Sequence, residues 1–259
     1  MHLPIIYSFA RSGGTLVNQL LGVHPDCLIL SEINPAASVI PVTKQAADWL
    51  GLIEAGEIVQ FQEFSYAKQI FILNERAKSK GNMLIIRDWV TVNFLPGAGG
   101  ISVVPSAILE QHIYLEQVGC SLQPLVITRK ANSVYQSIRR NFMHLSNLTA
   151  DDFLSVYLDY ARAVCNFPKV SLEALQFAPR ETLIQILRGL GISTSYVDQQ
   201  LLTFSNFTRC TGNNTLAVPS ETTHARHIVP VGSRSETDNV SINREAGFME
   251  VDHLLGYSA

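Results

Sequence analysis

"IIYSFARSGGTLVNQLLGVHPD", residues 5–26, runs from apolar β-branched residues through an Arg-Ser-Gly-Gly turn into an aliphatic helical pattern. A strand, a tight turn and a helix in that order predict the opening unit of a parallel α/β sheet. Ligands of such sheets sit beyond the carboxyl ends of the strands, where this turn lies. Gly13 and Gly14 let the backbone approach an anion, and the new helix presents free N–H groups to it. Ser12 and Thr15 flank the glycines with hydroxyls, and Arg11 adds a permanent charge whose forked donors suit phosphate oxygens. A ligand-free turn would need the same two glycines, but that reading leaves the adjoining Arg-Ser unexplained. A Walker loop reads GxxxxGK[ST], its lysine on the β- and γ-phosphates. Counting back from Gly14-Thr15, the lysine position is Gly14 and the leading glycine position is Ser8 or Phe9, which disfavours ATP chemistry.

Outward from this unit, short apolar runs alternate with helical patterns. Strands are expected at 3–9, 27–31, 82–87, 124–129 and 169–172. Helices are expected at 13–23, 44–53, 57–80, 105–118, 131–143, 150–165, 180–190 and 243–255. Pro179 and Gly191 supply the start and stop signals of helix 180–190. The fold class is α/β, a P-loop type central parallel sheet flanked by helices on both faces. Residues 94–102 form a Gly-rich loop, and 207–240 are rich in Thr, Ser and Asn with little periodicity, a length typical of lids or binding loops. With no repeat or linker, residues 1–259 read as a single domain.

Composition narrows the function. Of 259 residues, 47% are hydrophobic and 16% charged, enough apolar material for a sizeable core. A net charge of −3 offers no general attraction to nucleic acid or an anionic membrane, so any polyanion must be held by local arginines. Cys27, Cys120, Cys165 and Cys210 are far apart without metal-type spacing and read as reduced thiols. No apolar run approaches the ~18 residues of a membrane span. The first strand begins within three residues of Met1, which leaves no room for a signal peptide before it and predicts a cytoplasmic protein. The sequons at Asn147, Asn206, Asn213 and Asn239 are then chance occurrences.

"SFARSGGTLVNQLLGVHPD" (8–26) resembles the 5′-phosphosulfate loop of the PAPS-dependent sulfotransferases, P-[RK]-S-G-T-T followed by an aliphatic helix. Ala10 stands where proline is common, and Gly14 replaces the first threonine, removing one hydroxyl contact to phosphate. "LVITRKANSVYQSIRRNF" (125–142) resembles the family's R-[DN]-P-x-[DE]-x-x-x-S, whose Arg and Ser hold the 3′-phosphate of PAPS. Arg129 and Ser137 match that spacing; Lys130, Ala131 and Ser133 depart from it. "VSLEALQFAPRETLIQILRGLGI" (170–192) is similar to a structural segment of the family, so the likeness spans most of 3–192.

Sulfuryl transfer needs an acceptor deprotonated as it attacks and positive charge on the leaving phosphate. Arg11 is placed for the latter. Glu32, in "LILSEINP" at the end of the second strand, is the base candidate. Tyrosylprotein sulfotransferases have a catalytic carboxylate at a similar place, after an "HPD" that recurs here at residues 24–26. A glutamate capping the next turn is the competing reading. "IIRDW" (85–89) resembles the segment whose lysine contacts the sulfuryl group, a role Arg87 inherits. Cytosolic small-molecule sulfotransferases place a His base in this segment, where this chain has Trp89; Asp88 is the reserve base. His24 reads as a cap. His224 and His227 flank Arg226, and "HIVPVGSR" (227–234) resembles the loop that covers the nucleotide, with Arg234 the chosen residue and Arg226 the next.

The resemblance thus implies sulfuryl transfer from PAPS to a hydroxyl or amine, with Arg11, Glu32 and Arg87 catalytic. Arg11, Ser12, Gly13, Gly14, Thr15, Arg129, Ser137 and Arg234 would hold the nucleotide, without a metal. A P-loop small-molecule kinase using ATP and a non-catalytic nucleotide-binding protein are the alternatives. The acceptor, a small molecule or a peptide, would be met by 34–80 and 90–118, whose Trp49, Phe61, Phe64, Tyr66, Trp89 and Phe94 read equally well as core.

Overall fold

The computed structural model describes residues 1–212 and 242–258. Five strands, β1 His2–Ser8, β2 Cys27–Ile33, β3 Met83–Asp88, β4 Ser121–Thr128 and β5 Lys169–Ser171, form one sheet in the order β2-β3-β1-β4-β5. Every pairing is parallel. The central strand β1 is buried from Leu3 to Ser8, as a strand covered on both faces requires. Side chains alternate between two cores. Leu3, Ile5 and Tyr7 enter one with Leu84 and Ile86 of β3, whereas Ile6 enters the other with Ile85.

The helices are α1 Gly14–Gly22, α2 Val42–Lys44, α3 Ile58–Glu63, α4 Tyr66–Ser79, α5 Glu110–Gln117, α6 Ala131–Asn141, α7 Ala150–Val164, α8 Leu172–Phe177, α9 Pro179–Gly189, α10 Val197–Thr203 and α11 Ile242–Leu254. On one face Phe153, Tyr157 and Tyr160 of α7 and Phe248 and Val251 of α11 build the larger core; α1, α9 and α10 cover the other. No helix among the described residues is long and apolar enough to cross a membrane.

All five expected strands form, each within a few residues of its expected ends. The helices differ more. The single helix expected over 57–80 breaks at Phe64, whose backbone is extended, and restarts at Ser65, whose hydroxyl accepts the Lys68 N–H. The helix expected over 105–118 begins only at Glu110, after an irregular stretch in which Ala107 has φ 57°. Helices α8 and α10 were not foreseen; Ser171 caps α8 by accepting the Ala174 N–H, directly after the three residues of β5. The helix expected over 44–53 is instead α2 running into a π turn, Gln45–Trp49.

One long-range contact fixes the start of α6. Its N-cap position, Lys130, has no side-chain cap of its own. Asp252 of α11 accepts the Ala131 N–H at 2.7 Å, and Glu173 of α8 accepts the Lys130 N–H at 3.1 Å. Two carboxylates therefore occupy the positive end of α6. Replacing Asp252 by Ala should lower stability by about 1 kcal/mol, the usual worth of a helix cap, read as a lower urea midpoint at unchanged slope.

Candidate active site

A cavity of about 490 Å³ opens at the carboxyl ends of the strands. Its walls include the β1–α1 turn, Ser8–Arg11 and Gly13–Leu16, together with Glu32, Arg87 and Arg129. Strand-end residues distant in sequence thus converge here, as the sheet order requires.

The turn is held on three sides. Ser12 N–H donates to Phe9 O at 3.0 Å, Ala10 N–H donates to Thr91 Oγ1 at 2.7 Å, and an Arg129 Nη1 donates to Arg11 O at 3.1 Å. Gly13 has φ 99°, a left-handed conformation that favours glycine. The first intrahelical bond of α1 runs from Val17 to Gly13 O, so the amides of Gly14, Thr15 and Leu16 lack helical acceptors. A Cβ at Gly14 would lie 2.1 Å from Ser8 Oγ and 3.2 Å from Arg87 Nε. The glycine at the family's threonine position is explained by this contact: Ser8, from the strand, brings a hydroxyl to the same spot.

Ser12 needs a correction. Expected to contact the nucleotide, it is fully buried beneath the turn, its hydroxyl beside the Tyr157 phenol and its N–H bonded to Phe9 O. Ser12 stands apart from the cavity wall and supports the turn from below.

Arg11 Nε donates to Ser137 Oγ at 3.0 Å, which brings the two expected anion-binding elements into direct contact. Burial and then the neighbouring Arg129 pull the Arg11 guanidinium below its ordinary pKa. Burial lowers Arg129 as well, against the opposing pull of Glu173. Two cations thus adjoin at the cavity wall, and an anion bound between them would relieve their mutual repulsion.

Arg87 is 2% exposed and pairs with Glu32, itself 19% exposed. Its Nη1 lies 3.2 Å from Ser31 Oγ, 3.4 Å from Asn18 Oδ1 and 3.4 Å from Thr211 O, while its Nε is buried with no partner. That orphan donor lies beside Gly14, at the start of α1. Glu32 has φ 49° and is the extra residue of a β-bulge, since Ser31 pairs with Arg87 and Ile33 with Asp88. Val39 and Trp89 adjoin it, with Val39 N–H on Glu32 O at 3.2 Å and Trp89 N–H on Ile33 O at 3.1 Å. Both line the cavity, as do Leu95, Ala98 and Gly99, giving Glu32 an apolar surround. The Trp89 ring lies so close over Gly99 that a Cβ there would come within 2.5 Å of it.

Asp88 points the other way. It is fully buried on the opposite face, accepts from Asn34 Nδ2 at 2.9 Å and takes no part in the cavity wall. His24 is a structural residue: its Nδ1 accepts the Asp26 N–H at 3.2 Å, which leaves Nε2 to donate to Ser193 O at 3.1 Å. Of the six aromatic residues open between core and pocket, Trp89 lines the cavity, whereas Phe61 and Phe94 are core. Arg234, Arg226, His224 and His227 lie outside the described residues.

Several residues here gave no sequence signal. Thr211 N–H donates to Ser31 Oγ at 3.1 Å and Thr211 O accepts from Thr15 Oγ1 at 3.3 Å, so residues 180 and 196 positions apart meet. Ser8, Asn18 and Thr91 belong to the same set; Ser8 alone was legible in principle, as the last residue of β1.

No family model matches the chain, and comparison with curated proteins gave no match. Solved structures share the fold. The sulfotransferase domain of an olefin synthase from Synechococcus PCC 7002 superposes with a TM-score of 0.57 at 14% identity, covering 100% of this chain and 96% of that one. The sulfotransferase domain from the curacin biosynthetic pathway gives 0.57 at 17% identity, covering 99% and 98%. The chain has the fold of these sulfotransferase domains.

Burial pushes the Asp88 carboxyl up to about 8 from 3.8, opposed by its bond from Asn34. A folded-state value above the unfolded one means that the native protein binds this proton more tightly, so its contribution falls as pH rises from about 4 to about 8. Asp88→Asn should therefore gain melting temperature relative to the parent across that interval and hold a constant difference above it. A difference that stays flat from pH 4 to 8 would contradict the assignment.

Proposed function

We propose that this protein transfers a sulfuryl group from PAPS to a hydroxyl, or less often an amine, of a small-molecule or peptide acceptor. The observation carrying this reading is the Arg87 guanidinium, which is 2% exposed, bonded on one side to Glu32 and left with a buried unpartnered Nε toward the Gly14 turn. A cation with one face toward a carboxylate and the other toward an anion cradle links a base to a leaving group. The residues fit the nucleotide: open amides at Gly14 and Thr15, the crowded Arg11–Arg129 pair, and Ser137 against Arg11.

When bound, PAPS supplies an activated sulfuryl group, whose bond to the 5′-phosphate oxygen breaks as the acceptor oxygen bonds to sulfur. Glu32 takes the proton of the attacking hydroxyl. Arg87, tied to Glu32, offers Nε to the sulfuryl oxygens, and Arg11 with the α1 amides stabilises charge gathering on the leaving phosphate. Arg129 and Ser137 hold the 3′-phosphate. Since carboxylates already occupy the positive end of α6, that phosphate depends on side chains rather than on the helix terminus. Val39, Trp89 and Leu95 surround the acceptor site with apolar surface, which excludes water and suits an acceptor whose body is apolar.

Calorimetric titration tests the nucleotide assignment. Adenosine 3′,5′-bisphosphate should bind in preference to ATP. Arg129→Ala should weaken it while leaving adenosine 5′-phosphate nearly unaffected; equal losses for the two would remove the 3′-phosphate role.

Transfer assays test the chemistry. Arg11→Ala should lower kcat by about 10²–10³, the loss typical of one charge-stabilising donor. Glu32→Gln should lower kcat by about 10²–10⁴ with nucleotide affinity intact, and the loss should shrink for acidic phenols, which need less help to ionise. Full activity of the Glu32 variant would show that the base lies elsewhere.

A further inference from the structure

We propose that Gln45 is the positioning residue for Glu32: it holds the strained bulge that aims this carboxylate into the cavity. The inference builds on the reading of Glu32 as the base. Strand β2 lies at the edge of the sheet, so the polar backbone groups it turns away from β3 meet no further strand. At Ser31 those groups meet Gln45 instead. Its Oε1 accepts the Ser31 N–H at 2.6 Å and its Nε2 donates to Ser31 O at 2.8 Å. One fully buried side-chain amide thus pairs with both backbone groups of one residue, as a neighbouring strand would.

The pairing falls one residue before the bulge. Glu32 has φ 49°, a conformation that a glutamate keeps only where its surroundings impose it. The residues after Glu32 are fixed by the Trp89 N–H on Ile33 O and the bridge from Ile33 to Ser38. Gln45 fixes the residue before it. With both flanks held and one residue too many between Arg87 and Asp88 of β3, Glu32 is driven out of register and against Arg87. Ser31 couples the two ends of this device, since its backbone is clamped by Gln45 while its hydroxyl meets Arg87 and Thr211.

The clamp is itself braced. Gln45 opens the π turn Gln45–Trp49, where the Leu50 N–H reaches Gln45 O at 3.1 Å, and Nε2 also donates to Ile40 O at 2.8 Å. A π turn carries one residue more than an α turn, and such insertions recur at functional sites. Here it follows directly from α2, so the side chain at 45 leaves the helix pointing at the strand edge.

Hydrogen exchange on the unmodified protein is the first test, because it needs neither ligand nor variant. The Ser31 amide should be protected although it lies on the outer edge of the sheet; free exchange would overturn the proposal. The second test is Gln45→Met, which keeps volume and removes both bonds to Ser31 together with the one to Ile40 O. Ser31 protection should fall about tenfold, the net worth of one hydrogen bond. The carbon-13 carboxyl resonance of Glu32, assigned by its absence in Glu32→Gln, should move toward those of solvent-exposed glutamates. Affinity for adenosine 3′,5′-bisphosphate should stay within twofold. An unmoved Glu32 resonance, or a loss of bisphosphate affinity as large as that of Arg129→Ala, would overturn the positioning role. A parent protein that ignores the bisphosphate would count against the nucleotide reading alone, because exchange and resonance are measured without ligand.

Discussion

A guanidinium with 2% of its surface exposed has lost its water, and the protein must solvate it. Arg87 enforces most of the local arrangement. Glu32 supplies the counter-charge; Ser31, Asn18 and Thr211 supply oxygens around Nη1. These partners come from β2, from α1 and from the segment after α10, so one charge draws four parts of the chain together. Desolvation also explains the bulge. In regular register Glu32 would follow Leu30 into the opposite core, whereas the extra residue returns its carboxylate to the Arg87 side.

The alternation of a strand separates two adjacent charges that could otherwise have shared one site. Arg87 continues the side of Ile85 and Asp88 the side of Ile86. One therefore meets the cavity and the other meets Asn34 in the core. Burial raises the phenols of Tyr7 and Tyr66 as well as the Asp88 carboxyl. Asp88, bonded by Asn34 behind β3, therefore does not compete with Glu32 for Arg87.

The strands were legible in the sequence because a sheet buried on both faces needs continuous apolar runs, and the glycine turn was legible because close backbone approach has few solutions. From there, Arg11, Glu32, Arg87 and Arg129 follow as charged residues at the ends of buried strands, and the structure brings all four to one cavity. What stayed hidden is set by tertiary contact. The break at Phe64 interrupts a helical pattern that periodicity alone would continue, and the late start of α5 follows a stretch with no local stop signal. Ser12 was misread because composition cannot say which side of a turn a hydroxyl faces. Gln45 and Thr211 are ordinary polar residues whose partners lie 14 and 180 positions away, and spacing carries no trace of such pairs.

Backbone strain is concentrated at the same cavity. Among the described residues three that are not glycine have positive φ: Arg11, Glu32 and Ala107. Two of the three, Arg11 and Glu32, are charged residues that line the cavity. Each such conformation costs on the order of 1–3 kcal/mol and persists only where neighbouring bonds over-determine it. At Arg11 the carbonyl is held by Arg129 and the side chain by Ser137. At Glu32 the carbonyl is held by Val39 and the carboxylate by Arg87. Both residues are therefore oriented before any ligand arrives, so binding energy need not be spent on ordering them. Here the positive charge is carried by three arginines fixed to strand ends and to one strained turn, and the Glu32 carboxylate is fixed to one of them, Arg87. The geometry of the sheet edge thus sets the distance between the Glu32 carboxylate and the Arg87 guanidinium, which loops alone would leave free to vary.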